Sequence, residues 1–159
     1  MTIIKKNNEI YLCKERKNFN TISKKNLNFI KKKALVSKRK RARICVHKNE
    51  NETIHEMFIY HPKNTYVRPH KNLLYDESFL LIEGRADLII FNENGKIKDV
   101  VKIDKNNFYY KLKKNIYHMQ IFYKNSIFFE VTKGPFKKKN NIFARWSPDE
   151  KIKSSITSF

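Results

Sequence analysis

Short apolar runs separated by turn-forming residues fill the chain from Ala42 onward. They are rich in β-branched and aromatic side chains and recur about every 8–12 residues, which is typical of an antiparallel sandwich or barrel. Examples are "HEMFIYH", "SFLLIEG", "ADLIIFN", "YHMQIFY" and "SIFFEVT". Asn94-Gly95 predicts a type I′ hairpin turn, because that turn needs positive φ at both central residues. The pattern predicts a β-domain over residues 42–146.

The chain before Ala42 has a different pattern. A short strand is predicted at Glu9 to Cys13, and a helix that Ser23 can cap is predicted to end near Lys38. Apolar residues recur there at helical spacing, namely Leu27, Ile30, Ala34 and Leu35. We therefore expect an N-terminal extension with a basic helix over residues 1–41. A C-terminal tail is expected over residues 147–159.

Charge and composition narrow the classes of function. The 159-residue chain has a net charge of +20, and its densest basic cluster is Lys31 to Arg43. Such a cluster is typical of a nucleic-acid partner, but lysines are spread over the whole chain, which favours a solvated basic surface. Nucleic acid is therefore a secondary expectation. The sequence contains neither GxGxxG nor GxxxxGK[ST], which argues against a glycine-rich phosphate loop.

Cysteine usage and the length of the apolar runs indicate a compartment. Cys13 and Cys45 are far apart and form no CxxC pair, which favours a reducing environment. No apolar run approaches the ~20 residues that a membrane span needs, and "MTIIKKNNEI" lacks the apolar core of a signal peptide. We expect a soluble cytoplasmic protein. Exposed sheet edges make a homodimer the expected assembly.

The stretch "TYVRPHKNLLYDESFLLIEG", residues 65–84, concentrates the candidate chemistry. Strand alternation places four polar or aromatic side chains on one face: Tyr66, Arg68, His70 and Asn72. Such a face lines a polar cavity or meets water. Pro69 cannot donate to a β-ladder, so this strand is expected near a sheet edge or a barrel mouth.

The spacing within this stretch resembles the first motif of the cupin superfamily. That motif reads Gly, five residues, His-x-His, three or four residues, Glu, six residues, Gly. Here it falls on Asn64, His70, Asn72, Glu77 and Gly84. Asn at the opening position is the next best residue after Gly for a left-handed turn. The second histidine of His-x-His is replaced by Asn72.

The second cupin motif carries one more ligand histidine after a Pro-x-Gly-x-x turn. "KKNIYH" resembles it, with His118 as the histidine, Lys113 in place of the proline and Asn115 in place of the glycine. Six landmarks further resemble the WbuC-type cupins in consistent order from about Lys24 to Glu150. They are "KRARICVH", "YVRPHKN", "ESFLLIEG", "FYYKLKKNIYH", "FFEVTKGPF" and "FARWSPDE".

The resemblance implies a fold and a metal site. The expected fold is all-β, a cupin-type antiparallel β-barrel (double-stranded β-helix or jelly roll) with a short N-terminal helix. WbuC-type cupins are small bacterial metalloproteins, often encoded among surface-polysaccharide biosynthesis genes. His70, Glu77 and His118 would hold a divalent iron, zinc, nickel or manganese ion, as two imidazoles and one carboxylate do in non-haem iron sites. Asn72 offers only a neutral carbonyl oxygen, which weakens that expectation.

Further residues are expected to contact a ligand. If alternation holds, the side chains of Tyr66, Arg68 and Gln120 project into the same cavity as His70, and Arg68 can bind a carboxylate or phosphate with two parallel hydrogen bonds. The residues expected to bind ligand are Arg43, Arg68, Asn72, Gln120 and Glu130. Glu130, flanked by apolar residues, is expected to be paired with an arginine or shifted in pKa, and pairing is favoured.

The remaining histidines and the tryptophan receive structural interpretations. His47, His55 and His61 lack the spacing of metal ligands and are expected at the surface or in loops. Trp146 is expected to pack the C-terminal segment back onto the barrel.

Three functions fit these residues. The first is a metal cupin that binds a small anionic or sugar-like ligand, such as a sugar nucleotide, with isomerase or epimerase activity as one option; His70, Tyr66 and Glu77 are its candidate catalytic groups. The second is a non-catalytic cupin with a degenerate metal site, which the residue at position 72 motivates. The third is a basic nucleic-acid-binding protein.

Overall fold

The computed structural model describes residues 2–14 and 18–150. This part of the chain contains twelve strands, one α-helix and one short 3₁₀ helix. In chain order the elements are β1 (Ile3–Lys5), β2 (Ile10–Cys13), α1 (Lys24–Leu35), β3 (Ala42–Cys45), β4 (Ile54–His61), β5 (His70–Asn72), β6 (Glu77–Glu83), β7 (Ala86–Phe91), β8 (Ile97–Ile103), β9 (Tyr109–Leu112), β10 (Tyr117–Phe122), β11 (Ser126–Lys133), the 3₁₀ helix (Lys138–Asn140) and β12 (Asn141–Phe143).

The strands form two sheets. The first sheet has the order β1-β2-β3-β4-β11-β6-β9 and the second has the order β12-β5-β10-β7-β8. β2 pairs in parallel with β3, so the predicted N-terminal extension is hydrogen-bonded into the first sheet. The all-β prediction is confirmed. Of the predicted C-terminal tail, residues 151–159 lie outside the described residues.

Apolar side chains from both sheets meet in a buried core. The alternation of the strands places these residues inward, because side chains at i and i+2 share a face. The buried members are Phe79, Leu81, Ala86, Leu88, Ile103, Tyr110, Leu112, Phe122 and Phe128. These contacts hold the two sheets face to face.

The helix α1 covers the outer face of the first sheet. Ser23 caps it in a capping box with Asn26, as its sequence position predicts. Leu27, Ile30 and Ala34 are buried against β2, β3 and β4. The helix ends at Leu35, three residues before the predicted end. The hydroxyl of Ser37 then accepts the backbone N–H of Arg41 at 3.0 Å and leads the chain into β3.

Three turns use left-handed backbone as the motif positions require. Asn64 and Asn115 have φ of 63° and 61°, which confirms the substitution of asparagine for turn glycines. Gly84 has φ of 99°, and a Cβ there would overlap with the Ser126 Oγ. A side chain at position 84 would therefore disrupt the β6–β7 turn.

The predicted hairpin between β7 and β8 forms, but its predicted type I′ turn is wrong. Gly95 has positive φ, but Asn94 does not. The N–H of Gly95 donates to the carbonyl of Asn92 at 3.0 Å, and the strand register shifts beside the turn. A longer loop with one left-handed glycine and a bulge satisfies the same twist.

Trp146 anchors the C-terminal segment, here residues 144–150 after β12, to the second sheet. Its ring lies 4.9 Å from that of Phe91 and 5.9 Å from that of Tyr117. Its indole N–H donates to the carbonyl oxygen of Glu93 at 3.2 Å. The expectation that Trp146 packs this segment back onto the β-domain agrees with these contacts.

Candidate functional site

A cavity of about 370 Å³ lies between the two sheets, next to the apolar core. Inward-facing side chains of β2, β3, β4, β6 and β11 form one wall, and those of β5 and β10 form the other. Its lining mixes apolar side chains with polar ones, unlike the apolar core. Its ionisable and amide side chains include Arg41, Arg43, His61, His70, Asn72, Glu77, His118, Gln120, Glu130 and Glu150.

His70 and His118 face each other across the β5–β10 pair. They are direct partners in the strand register, and their ring centroids are 4.6 Å apart. Nδ1 of His70 lies 2.9 Å from the carbonyl oxygen of Arg68, and Nδ1 of His118 lies 3.2 Å from that of Ile116. Because a carbonyl oxygen only accepts, Nδ1 carries the proton in each ring. Both Nε2 atoms therefore carry a lone pair.

Burial fixes the charge state of these imidazoles. It lowers the pKa of His118 to about 3, and the neighbouring His70 adds to that effect. Burial also lowers the pKa of His70. Nε2 of His118 is buried without a hydrogen-bond partner among the described residues. A neutral imidazole with an unpartnered buried lone pair can donate that electron pair to a metal ion or accept a hydrogen bond from a ligand.

Glu77 begins β6 and places its carboxyl group beside His118. Its Oε2 lies 3.8 Å from Nε2 of His118. Burial raises the pKa of Glu77, Glu130 raises it further, and a hydrogen bond from the side chain of Asn72 opposes the rise. The raised pKa of Glu77 and the lowered pKa of His118 make this a contact between neutral groups.

The side chain of Asn72 forms hydrogen bonds with both the Glu77 carboxyl group and the backbone of the turn after β5. Its side-chain oxygen accepts the backbone N–H groups of Leu74 at 3.1 Å and Tyr75 at 3.2 Å. This Asx turn orients the amide so that its NH₂ group donates to Glu77. The carbonyl oxygen that the motif would offer to a metal is therefore engaged by backbone.

Glu130 is the second carboxyl group in the cavity. Burial raises its pKa, and the charge of Arg43 opposes the rise. The sequence favoured pairing with an arginine over a pKa shift. In the structure both influences act, and burial is the larger. Glu77 and Glu130 are thus two neighbouring carboxyl groups whose pKa values are both raised by burial.

Gln120 lies between the polar residues and the core. Its Nε2 donates to the hydroxyl of Tyr110 at 2.6 Å. Both side chains are buried, and Gln120 lines the cavity as the sequence predicts. Burial raises the pKa of Tyr110 well above its ordinary value, so the phenol stays protonated.

Tyr66 and Arg68 are held by the C-terminal segment. They precede β5 as irregular chain, so strand alternation does not aim them inward. The guanidinium of Arg68 donates to Ser147 Oγ at 3.1 Å and to Asp149 Oδ2 at 3.0 Å, and the Tyr66 hydroxyl donates to a carbonyl oxygen of that segment at 3.0 Å. The structure brings neither side chain to His70 and His118 in the way that the sequence suggested.

Two histidines expected at the surface or in loops are buried, so that expectation is wrong for them. His55 and His61 are 4% and 9% exposed on β4. The imidazole of His61 stacks on Phe122 with the ring centroids 4.4 Å apart and lines the cavity. Alternation along "HEMFIYH" contains the signal, because His55, Met57, Ile59 and His61 share one face.

Three of the eight basic side chains in Lys31 to Arg43 form ion pairs with the protein's own carboxylates. Arg39 Nε donates to Glu9 Oε2 at 2.8 Å, and Arg41 Nη2 donates to Glu150 Oε2 at 3.0 Å. Lys31 forms an ion pair with Glu83. These contacts reduce the positive charge that the segment offers to a polyanion, which disfavours the nucleic-acid alternative.

The predicted metal ligands fit a metal ion in donor type. His70 and His118 present Nε2 lone pairs whose rings are fixed by backbone carbonyls, as ligating histidines commonly are. Glu77 supplies the carboxylate within reach of His118. Across residues 2–14 and 18–150, however, no three histidine, cysteine or carboxylate side chains already form a metal-binding group.

Solved structures with similar folds support a fold assignment. Salicylate 1,2-dioxygenase from Pseudaminobacter salicylatoxidans has a TM-score of 0.58 and 12% identity, over 72% of this chain and 34% of that one. The capsular polysaccharide assembling protein CapF from Staphylococcus aureus has a TM-score of 0.55 and 11% identity, over 68% and 32%. KdgF from Halomonas sp. has a TM-score of 0.51 and 10% identity, over 65% and 87%. This chain spans about a third of the first two.

The two facing sheets and these similarities define a cupin fold. Within it, the chain belongs to the family described as "Domain of unknown function (DUF6016)", whose model matches residues 22–103. None of the curated proteins matches this chain. No helix in the described part of the chain is long and apolar enough to cross a membrane.

Proposed function

We propose that this cupin binds a small polar molecule in the cavity beside a divalent metal ion held by His70, Glu77 and His118. The observation that carries the proposal is the buried, unpartnered Nε2 of His118, with the Glu77 carboxyl group 3.8 Å away. An unsatisfied buried polar atom is costly, so a ligand for it has a physical reason to be there. A bound divalent ion would supply Lewis-acid chemistry.

The protein's own groups would perform the remaining tasks. Backbone carbonyls hold the two imidazoles with Nε2 toward the cavity. Asn72 donates to Glu77 and so favours the carboxylate form that binds a cation. Burial raises the pKa of Glu77, so a proton that its carboxyl group holds must leave when the carboxylate binds a cation. Metal binding should therefore depend on pH.

The proposed ligand is a sugar or sugar nucleotide of bacterial surface-polysaccharide synthesis, and WbuC-type cupins are the proposed relatives. Support comes from the arginine-lined mouth of the cavity and from the similar fold of a capsular polysaccharide assembling protein. For an isomerase or epimerase reaction at the metal-free site, His70 and Glu77 are the cavity groups able to move a proton. Tyr66, the third catalytic candidate, is engaged by the C-terminal segment instead.

Metal titration of chelator-treated protein tests the metal proposal. We expect about one zinc, iron, nickel or manganese ion per chain, with proton release. Glu77→Gln keeps the side-chain shape and should weaken binding at least about tenfold. Glu83→Gln, at the exposed end of the same strand, is the matched control and should bind as the wild type does. Equal affinity in Glu77→Gln, or no bound metal in the wild type, would contradict the proposal.

A metal-free cupin is the second candidate. The engagement of the Asn72 carbonyl oxygen by two backbone N–H groups favours it, since the usual fourth ligand is lost. Under this alternative, the wild type binds no metal and Asn72→His restores binding. If Asn72→His also fails to bind while its fold is intact, degeneration at position 72 alone does not explain the site.

We further propose a cytoplasmic homodimer. Cys13 and Cys45 are free and buried, in line with a reducing compartment. The edge strand β8 exposes Ile97 and Val100, which supports pairing of two copies along that strand. Light scattering of the wild type and of Val100→Lys checks the assembly, with a monomeric variant expected.

A further inference from the structure

A buried arginine at the cavity wall is held by the carboxylate of Glu150. Arg41 is 8% exposed. Its Nη2 donates to Glu150 Oε2 at 3.0 Å and its Nη1 to Oε1 at 3.3 Å. This is the two-pronged geometry by which a guanidinium recognises a carboxylate. Arg39 and the backbone N–H of Arg68 also donate to Glu150.

Hydrogen bonds from Ser37 to its backbone hold Arg41 in the cavity wall. Ser37 Oγ accepts the backbone N–H of Arg41 and donates to its carbonyl oxygen at 2.8 Å, which fixes the chain after the helix. Nε of Arg41 is buried without a hydrogen-bond partner in the described part of the chain. The guanidinium therefore has an unused donor in addition to the two that Glu150 accepts.

Arg43 adds a second guanidinium two residues further along the chain. It lines the same cavity, and its side-chain hydrogen bond within the described residues goes to the sulfur of Met57 at 3.7 Å, a weak acceptor. No ion pair joins Arg43 to a carboxylate there, although its charge acts on the pKa of Glu130. The cavity wall thus carries two guanidinium groups, of which Arg41 is ion-paired with Glu150 and Arg43 has no ion pair in the described part of the chain.

We propose that Arg41 and Arg43 form a carboxylate-binding subsite of the cavity, that Glu150 occupies it in the ligand-free protein, and that the carboxylate of a small acid displaces Glu150. The inference rests on the proposed small-molecule function and narrows the ligand to an acid, for example a sugar acid. The tethered Glu150 competes at high effective concentration, so removing it should strengthen ligand binding.

Chemical rescue with acetate tests the subsite. Glu150→Ala leaves Arg41 without its carboxylate, so its melting temperature should fall below that of Glu83→Ala, which removes an exposed carboxylate outside the cavity. Acetate should restore part of the loss in Glu150→Ala alone, with chloride at the same ionic strength as the reference. Acetate should also bind Glu150→Ala at least about tenfold more tightly than the wild type.

A second variant identifies the cations. Arg43→Met keeps the aliphatic stem, and in the Glu150→Ala background it should weaken acetate binding about tenfold. Equal acetate affinity in the wild type and Glu150→Ala, equal rescue of Glu83→Ala, or an unchanged affinity after Arg43→Met would each overturn the proposal. Tighter binding of inorganic phosphate than of acetate would overturn the carboxylate assignment. Metal stoichiometry, measured separately, distinguishes failure of the metal proposal from failure of this subsite.

Discussion

The space between the two sheets has an apolar half and a polar half, and the same strands build both. On β6 the inward side chains run from Glu77 through Phe79 to Leu81, and on β10 they run from His118 through Gln120 to Phe122. Each strand keeps its two-residue period without a break. What changes along the strand is only the chemistry of the side chain.

The two halves teach different lessons about stability. The apolar half gains free energy from removing hydrocarbon from water and from close packing. The polar half buries imidazole and carboxyl groups at a cost, which shows as a lowered pKa for His118 and a raised pKa for Glu77. This cost at one end of the strands supports the proposal that a ligand binds there.

The largest expected effect is in the apolar half. Phe122 is 1% exposed, and Phe122→Ala should lower the free energy of unfolding by about 3–5 kcal/mol through lost burial and a cavity. Phe108→Ala, at a ring that is 50% exposed, should stay within about 0.5 kcal/mol of the wild type. Urea denaturation followed by circular dichroism measures both. Equal losses would mean that the apolar half is not the tighter one.

The boundary between the halves should respond less. Gln120→Leu leaves the buried Tyr110 hydroxyl without its 2.6 Å partner and should cost about 1–3 kcal/mol. Tyr110→Phe should lower the free energy of unfolding by a similar amount, because it leaves the buried Gln120 amide without its hydrogen-bond partner. The double variant should be closer to neutral, since both polar groups are then gone. A double variant as unstable as the sum of the singles would show that the hydrogen bond does not link them.

The smallest effect is a pH slope in the polar half. The pKa of Glu77 is raised in the folded protein above its ordinary value of 4.5, so the folded state keeps the proton longer than the unfolded chain does. Stability of the metal-free protein should therefore fall as pH rises toward the folded pKa, by at most about 1.4 kcal/mol per pH unit for this group.

Glu77→Gln isolates that slope, because glutamine does not titrate. The histidines with lowered pKa values contribute to the slope near pH 7, but they do so equally in the wild type and in Glu77→Gln, so their contribution cancels in the comparison between pH 7 and 9. In chelator, the urea midpoint of Glu77→Gln should decline less over this range than that of the wild type. Glu83→Gln should decline as the wild type does. Parallel declines for all three would place the titrating group elsewhere.

Most of the fold prediction rests on strand alternation and on residues that favour turns. A two-residue period determines which side chains face inward, so the β-domain from Ala42 follows from composition and spacing. Asn64 and Asn115 were identifiable because asparagine tolerates positive φ. The resemblance to the two cupin motifs predicts that His70 and His118 lie close together. A local pattern could not predict this, because the pairing of β5 with β10 brings together residues that are far apart in sequence.

Long-range contacts account for what the sequence did not predict. Arg68 follows the strand period in sequence, yet its chain becomes a strand only at His70, and Ser147 and Asp149 hold its guanidinium. The contact of Arg41 with Glu150 joins residues 109 apart, and no local pattern encodes it. Asn72 was recognised as a substitution, but its Asx turn depends on the orientation of its amide.

Trp146 gives this protein an internal optical reporter. It is the single tryptophan of the chain, is 38% exposed, and lies against Phe91 and Tyr117 four residues before Glu150. Undocking of the C-terminal segment would move the indole into water and shift its fluorescence emission to longer wavelength. The position of that segment can therefore be followed in solution without any added label, in real time, as ligands are mixed with the protein.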